Sequence, residues 1–261
     1  MKILILGGTK DSTNIIEHIK KNYDAYVLTT TTTEYGAKLA QESGSDDTIA
    51  RPLLKDEIIE IIRNKNFELL IDATHPFAEH ITQTSSSIAN ELKMPYIRFE
   101  RPTTNFENID TSHIHYVNSF DDAGKLIKNE FNEGNVLHFA GANTMKDIVK
   151  YVPVNRFYPR ILKVESSLIK CQELGVDPTH IIPMTGAASL EENIELMEKY
   201  DACVMITKES GDIGGVVEKI QAANEKGVGV VMIQRPKIDG LNKKDIVSNL
   251  DELDIRLKNF F

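Results

Sequence analysis

Short apolar runs recur along this chain, each followed by a polar loop and then by a segment whose apolar residues return every three or four positions. The first is Lys2-Ile3-Leu4-Ile5-Leu6, and the pattern predicts strands over 2–6, 25–30, 67–72 and 96–98, with a weaker one at 48–50. Helical periodicity fills the intervals 10–21, 34–43, 54–64 and 78–93; in the third, Leu54, Ile58, Ile61 and Ile62 share one face among charged residues. Strands that alternate with helices run parallel, because each crossover helix returns the chain to the same edge of the sheet, and such crossovers are right-handed.

The alternation breaks over residues 99–108, Phe-Glu-Arg-Pro-Thr-Thr-Asn-Phe-Glu-Asn, which have no period and contain a proline, and the stretch reads as a linker. Beyond it, strands over 114–117, 135–140, 180–184, 202–207 and 228–233 alternate with helices over 120–132, 143–150, 187–199 and 214–226. A helix-like stretch from 243 to 259 closes the chain. The expected architecture is α/β, with two Rossmann-like parallel-sheet domains facing each other across a cleft. Residues 1–103 form an N-terminal nucleotide-binding domain and 104–261 a C-terminal α/β domain, each long enough to bury a core of its own.

Charge and composition narrow the function classes. The net charge is −9 with no concentrated basic stripe, which argues against nucleic acid. No apolar run approaches the roughly 18 residues of a membrane helix. The chain opens directly on a strand-like run, which leaves no room for a signal peptide, so the cytoplasm is the expected compartment. Cys203 lies in the apolar run Ala202-Cys203-Val204-Met205-Ile206 and reads as a core residue; Cys171 has no His or Cys spaced to share a metal with it. His113 and His115 alternate on one side of a strand without a third ligand, so no metal site is expected, and a monomer is the default.

The first βα turn is Gly7-Gly8-Thr9-Lys10-Asp11, where glycines let the backbone approach a phosphate and the helix start favours its charge. The full G-x-G-x-x-G spacing is absent, and a tight turn without a ligand is the bland alternative. The second strand ends in Thr29-Thr30-Thr31-Thr32-Thr33 rather than in an acidic residue that would bind the ribose of NAD. NADPH is therefore the expected cofactor and NADH the alternative, with Lys38 and Arg51 the nearest cations for a 2′-phosphate.

The segment Leu69-Leu70-Ile71-Asp72-Ala73-Thr74-His75-Pro76-Phe77-Ala78 ends a strand at Asp72 and places Pro76 where it can open the next helix. Pro76 keeps His75 extended, which would project His75 and Phe77 at the carboxyl ends of the strands. Helix capping by Thr74 or His75, with Phe77 in the core, fits the pattern equally well.

Here the chain resembles the precorrin-6A reductases. The resemblance rests on Ile5-Leu6-Gly7-Gly8-Thr9, on Thr29-Thr30 followed by Tyr35-Gly36, and on Asp72-Ala73-Thr74-His75-Pro76-Phe77-Ala78. It continues through residues 95–102, Pro-Tyr-Ile-Arg-Phe-Glu-Arg-Pro, then Thr207-Lys208-Glu209-Ser210-Gly211, Gly214-Gly215, Glu218-Lys219-Ile220, Ala222-Ala223 and Arg235-Pro236. Two departures stand out. Thr185-Gly186-Ala187-Ala188 lacks the Pro-Phe expected after the glycine, and Glu209 stands where Asp is commoner.

The resemblance implies hydride transfer from a reduced nicotinamide to one ring double bond of precorrin-6A, or of its cobalt form, with a proton added alongside. Gly7, Gly8, Thr9, Lys10, Asp11, Thr29, Thr30, Thr31, Ala73, Thr74 and His75 are the expected cofactor contacts. His75 is also the candidate proton donor, since imidazole titrates near neutrality. The tetrapyrrole carries many carboxylates, for which Arg98, Arg101, Arg160, Lys208 and Arg235 are candidate partners. Phe77, Thr185, Gly186, Ser210 and Gly211 complete the expected substrate contacts. A nicotinamide-dependent reductase of a smaller substrate and a non-enzymatic NAD(P) sensor remain as alternatives. The short-chain dehydrogenases fit poorly, because Tyr96 and Tyr151 are followed four residues on by Glu100 and Asn155 instead of lysine.

Overall fold

The computed structural model describes residues 1–261 and divides into two compact units, residues 1–102 with 236–261, and residues 103–235. In the first unit the chain runs β1 (Lys2–Leu6), α1 (Lys10–Asn22), β2 (Tyr26–Thr31), α2 (Glu34–Glu42), β3 (Asp47–Ala50), α3 (Lys55–Lys65), β4 (Leu69–Asp72), α4 (Glu79–Leu92) and β5 (Tyr96–Phe99). The sheet is all parallel, and its sixth strand, β12 (Ile246–Val247), comes from the end of the chain and pairs with β5. From edge to edge the order is β3-β2-β1-β4-β5-β12. Counted by their place in the unit, this is the 3-2-1-4-5-6 arrangement of dinucleotide-binding sheets.

Both faces of this sheet are covered, which is why its strands are apolar runs rather than alternating ones. Ile3, Ile5, Val27, Leu69, Ile71 and Ile97 pack on Ile15, Ile16 and Ile19 of α1. Leu4, Leu6, Leu28 and Leu70 face Ile58, Ile59 and Ile62 of α3 and Ile88 of α4. Helix α1 starts at a capping box between Thr9 and Ser12, with Asp11 in its first turn and Lys20 and Lys21 in its last, all favourable to its dipole.

The second unit contains β6 (Ile114–Val117), α5 (Phe120–Glu130), β7 (Asn135–His138), α6 (Met145–Ile148), β8 (Phe157–Ile161), α7 (Glu165–Glu173), β9 (Ile182–Pro183), α8 (Leu190–Lys199), β10 (Ala202–Lys208), α9 (Val216–Lys226) and β11 (Gly229–Ile233). Its parallel sheet has the order β9-β8-β7-β10-β11-β6. Leaving out β6, the order is again 3-2-1-4-5, and β6 supplies the outer strand from in front of the set rather than from behind it.

Two sequence expectations change, and one strand was not expected. Residues 243–259 are not one helix: a 3-10 turn at Lys243–Asp245 and β12 precede α10 (Leu250–Leu257). Residues 236–261, expected in the second domain, belong to the first unit, because β12 closes its sheet and Leu253 and Leu257 of α10 enter its core. Strand β8 carries no strand signal, since Pro159 sits in its middle and proline ordinarily argues against an inner strand. No helix is long and apolar enough to cross a membrane.

Candidate functional site

In the first unit the chain moves from β1 to β2 on one side and later to β4 on the other, so a crevice opens at the carboxyl ends of β1 and β4. The turn after β1 is held from several directions. Gly7 N–H donates to Thr30 O at 2.8 Å, and the Ser12 hydroxyl accepts from the N–H groups of Gly8 and Thr9, each at 3.1 Å. Thr9 Oγ1 accepts from Ser12 N–H at 3.1 Å and donates to Ala73 O at 2.8 Å, tying this turn to the loop after β4.

Glycine is required at both positions of the turn, for different reasons. A Cβ on Gly7 would lie 2.9 Å from Thr29 Cγ2, and Gly8 adopts φ 98°, which side chains disfavour. Yet a Cβ on Gly8 would meet nothing closer than Thr31 Cβ at 3.9 Å, so the outer side of the turn is open. A nucleotide phosphate fits there: the backbone is bare, and α1 presents its positive dipole end with first-turn N–H groups that have no intrahelical acceptor. Asp11 would oppose an anion, but its buried carboxylate is ion-paired with Arg101 at 2.8 Å.

The threonines of β2 divide. Thr29 Oγ1 shares a hydrogen bond with Ser45 Oγ at 2.8 Å, and Thr31 Oγ1 donates to Thr33 O at 2.8 Å. Both hydroxyls, expected to face a cofactor, are therefore used inside the unit. Thr33 caps α2 through Gly36 N–H. Lys38 and Arg51 are exposed and paired with Glu42 and Glu57.

The loop after β4 stands on a buried polar cluster. Asp72 is fully buried, and its Oδ1 accepts from Thr74 N–H at 3.0 Å, Thr74 Oγ1 at 2.6 Å and Arg98 Nη1 at 2.8 Å. Its Oδ2 accepts from Tyr96 OH at 3.2 Å. Burial and the Asp72 charge push the Tyr96 phenol far above its ordinary range, so it acts as a neutral donor. Arg98 Nη1 also donates to Thr74 O at 3.1 Å.

Arg98, expected to hold a substrate carboxylate, is 0% exposed and instead fixes the Thr74 backbone. Arg101 likewise serves Asp11. Pro76 does not open the helix: Ala78 N–H closes a turn onto His75 O at 2.8 Å, and α4 begins only at Glu79. His75 Nδ1 accepts from Phe77 N–H at 3.2 Å, so a neutral ring carries its proton on Nε2. The rings of His75 and Phe77 lie 5.8 Å apart.

The second unit has its own reversal, between β7 and β10, with the loops 139–144 and 209–215 at the carboxyl ends. Gly141, Gly186 and Gly211 take φ 87°, 82° and 74°. Arg160, at the end of β8, lays its guanidinium 4.8 Å from the centre of the Phe139 ring. Lys208, at the end of β10, lies over Phe120, and burial lowers its pKa to about 8. Thr185 and Gly186 are exposed after β9. Ser210 is buried against Gly214, where any Cβ would collide with its hydroxyl.

Arg235 contradicts its expected role as a carboxylate holder for the substrate, for its Nε is bound to the carboxylate and the carbonyl of Glu209. Glu209 Oε1 also accepts from Thr104 N–H at 2.8 Å and Gly211 N–H at 3.2 Å, so the departure at this position is a hub that shapes the loop.

Two buried groups were not among the expected site residues. His138 lies inside the apolar run of β7, and burial lowers its pKa to about 3, leaving it neutral; Nε2 faces Gly141 O at 3.2 Å and Thr144 Oγ1 at 3.0 Å. Lys219 is 3% exposed, and burial lowers its pKa to about 7. Its signal was present: Val216, Lys219, Ile220 and Ala223 form one helical stripe, and a lysine on an apolar stripe is an anomaly. No three His, Cys, Asp or Glu side chains gather as a metal site would require.

A family model described as precorrin-6x reductase CbiJ/CobK matches residues 2–256. The chain belongs to that family. It is 36% identical over 254 residues to a cobalt-precorrin-6A reductase of Methanothermobacter thermautotrophicus, covering 97% of this chain and 82% of the relative. A cobalt-precorrin-6A reductase of Methanocaldococcus jannaschii is 37% identical over 240 residues, 92% of each chain. Among solved structures, CobK precorrin-6A reductase shares the fold with a TM-score of 0.76 at 16% identity, over 99% of this chain and 97% of the other. Family membership makes the chain an oxidoreductase of cobalamin biosynthesis with two Rossmann-like units.

Proposed function

We propose that the chain reduces one ring double bond of precorrin-6A, or of its cobalt form, at the expense of a reduced nicotinamide dinucleotide held by the first unit. One observation carries this reading: the Thr9–Ala73 hydrogen bond joins an open glycine turn to the Thr74-His75 loop at the reversal point of a 3-2-1-4-5-6 sheet. When bound, the nicotinamide supplies the hydride.

The chain's own residues bind and orient. Gly7, Gly8, Thr9 and Lys10 receive the diphosphate; Thr30, at the end of β2, lies toward the ribose; Ala73 and Thr74 line the way to the reactive ring. The Asp72–Arg98 pair keeps Thr74 fixed, so the loop needs little reordering when ligand arrives. His75, with its proton on Nε2, is the proposed donor to the reduced ring carbon, and Phe77 is the proposed apolar neighbour of the macrocycle. Arg160 and Lys208 are the proposed anchors for substrate carboxylates, alongside Thr185, Gly186, Ser210 and Gly211.

NADPH is the proposed cofactor, because β2 ends without the carboxylate that would bind an unphosphorylated ribose and repel a 2′-phosphate. A cytoplasmic monomer acting on a tetrapyrrole, and on neither nucleic acid nor membrane, completes the proposal.

The test mixes the purified protein anaerobically with NADPH or NADH and with precorrin-6A or cobalt-precorrin-6A. Nicotinamide absorbance and the macrocycle spectrum are followed together. Matched oxidation of cofactor and change of chromophore supports the reading, and the faster nicotinamide identifies the cofactor. Cofactor binding with neither macrocycle reduced would return the smaller-substrate and sensor alternatives to the front.

A further inference from the structure

The second unit keeps a buried cation, Lys219, and a half-buried one, Arg160, on one face of its sheet with no carboxylate in ion-pair range. Phe139, Tyr158 and Met205 belong to the core cluster that α8 and α9 cover through Met197, Val216 and Ile220. Strand alternation puts Arg160, two residues past Tyr158, and Thr207, two past Met205, on that same face at its carboxyl end. Arg160 lies over the Phe139 ring and donates through Nη1 to Met184 Sδ at 3.6 Å. Lys219 reaches in from the first turn of α9 and makes one hydrogen bond, to Gly214 O at 2.7 Å. Thr207 is 0% exposed, and its hydroxyl has no partner.

Buried charges of this kind are costly unless something pairs with them. Arg160 and Lys208 repel Lys219, while Glu218 favours its charge and Glu192 favours that of Arg160. Burial and the repulsion of Arg160 outweigh the help of Glu218, so the lysine is left short of negative charge. The loop at 185–187 is exposed, Gly186 has open space where a Cβ would sit, and Ala187 Cβ lies 3.0 Å from the Cβ position of Gly215, next to α9.

We propose that Arg160, Lys219 and the Thr207 hydroxyl form a buried subsite for one acetate or propionate carboxylate of the tetrapyrrole, an inference that rests on the reductase reading above. The guanidinium offers a planar pair of donors, the ammonium a second charge, and the hydroxyl a third donor. A carboxylate entering this subsite supplies the charge that Glu218 does not.

Steady-state kinetics with cobalt-precorrin-6A test this on the intact enzyme. Lys219→Met and Arg160→Met raise the tetrapyrrole KM about tenfold or more, while kcat stays within about threefold and the nicotinamide KM is unchanged. Because Lys219 titrates at about 7, the wild-type tetrapyrrole KM rises above that pH as the lysine loses its proton. Lys219→Arg keeps a low KM and moves that rise up toward about pH 8, where Lys208 loses its proton.

The melting temperature of Lys219→Met stays level or increases, since an unpaired buried cation has been removed. An active wild type whose tetrapyrrole KM ignores both methionine variants overturns the subsite alone. A fall in melting temperature with equal changes in both KM values also overturns it, assigning Lys219 to support of the Gly214 carbonyl. A wild type that reduces neither macrocycle ends the reductase reading, and the proposed ligand with it.

Discussion

In the first unit, β1 runs into a capped helix of 13 residues; in the second, β7, which holds the same central place in its sheet, runs into a 3-10 turn and a helix of four. The two sheets share the order 3-2-1-4-5, yet their carboxyl ends are furnished differently. The first offers glycine backbone at the positive end of a long helix, which suits a phosphate that must approach closely. The second offers Arg160, Lys208 and Lys219, whose long side chains suit the proposed role of holding carboxylates spread over a larger body. The two units share this parallel strand order, and the loops after the strands decide what each unit can bind.

The largest effect that would sharpen this comparison comes from breaking the support of the first unit's loop. Asp72→Ala strands the buried Arg98 guanidinium and is expected to cost about 3–5 kcal/mol in urea unfolding. A loss below about 1 kcal/mol would mean the cluster does not hold the loop.

His75→Ala is expected to lower kcat about 10²–10⁴-fold, as for loss of a proton donor. Full turnover with unchanged tetrapyrrole affinity would remove His75 from the site.

Acid tests the second unit through His138. Its folded pKa, about 3, lies below the usual imidazole value, so the stability it contributes is full above about pH 6.5 and falls as pH drops toward 3. The urea midpoint of wild type should decline through that window, and that of His138→Gln should decline less. Equal slopes would show that other groups carry the acid sensitivity.

Paired glycine variants then separate the two carboxyl ends. Gly8→Ala and Gly141→Ala, both at positive φ, are each expected to cost about 1–2 kcal/mol of stability. Only Gly8→Ala should weaken nicotinamide binding, measured by fluorescence titration. Equal weakening by both would erase the division of labour. The smallest effect is expected for Arg51→Ala, whose pair with Glu57 is solvent-exposed and screened, so the urea midpoint should barely move; a large loss of NADPH affinity, with NADH unaffected, would place Arg51 at the 2′-phosphate.

The repeating strand–helix period by itself determined the α/β class and the parallel sheets, because burial on both faces demands continuous apolar runs. The Gly7-Gly8-Thr9 turn was legible for the same local reason: its backbone conformation needs glycine. Long-range contacts decided the rest. The sixth strand of the first sheet is two residues long and has no period of its own, so only its pairing with β5 reveals it. Strand β8 was hidden by Pro159, whose local meaning the surrounding sheet overrides.

Charge was the least legible property. Arg98, Arg101, Arg160 and Arg235 look alike in a sequence, yet Asp72, Asp11 and Glu209 engage three of them inside their own units. An arginine's role depends on which carboxylate the fold brings within about 4 Å, and those partners lie 26, 90 and 26 residues away (98 − 72, 101 − 11, 235 − 209).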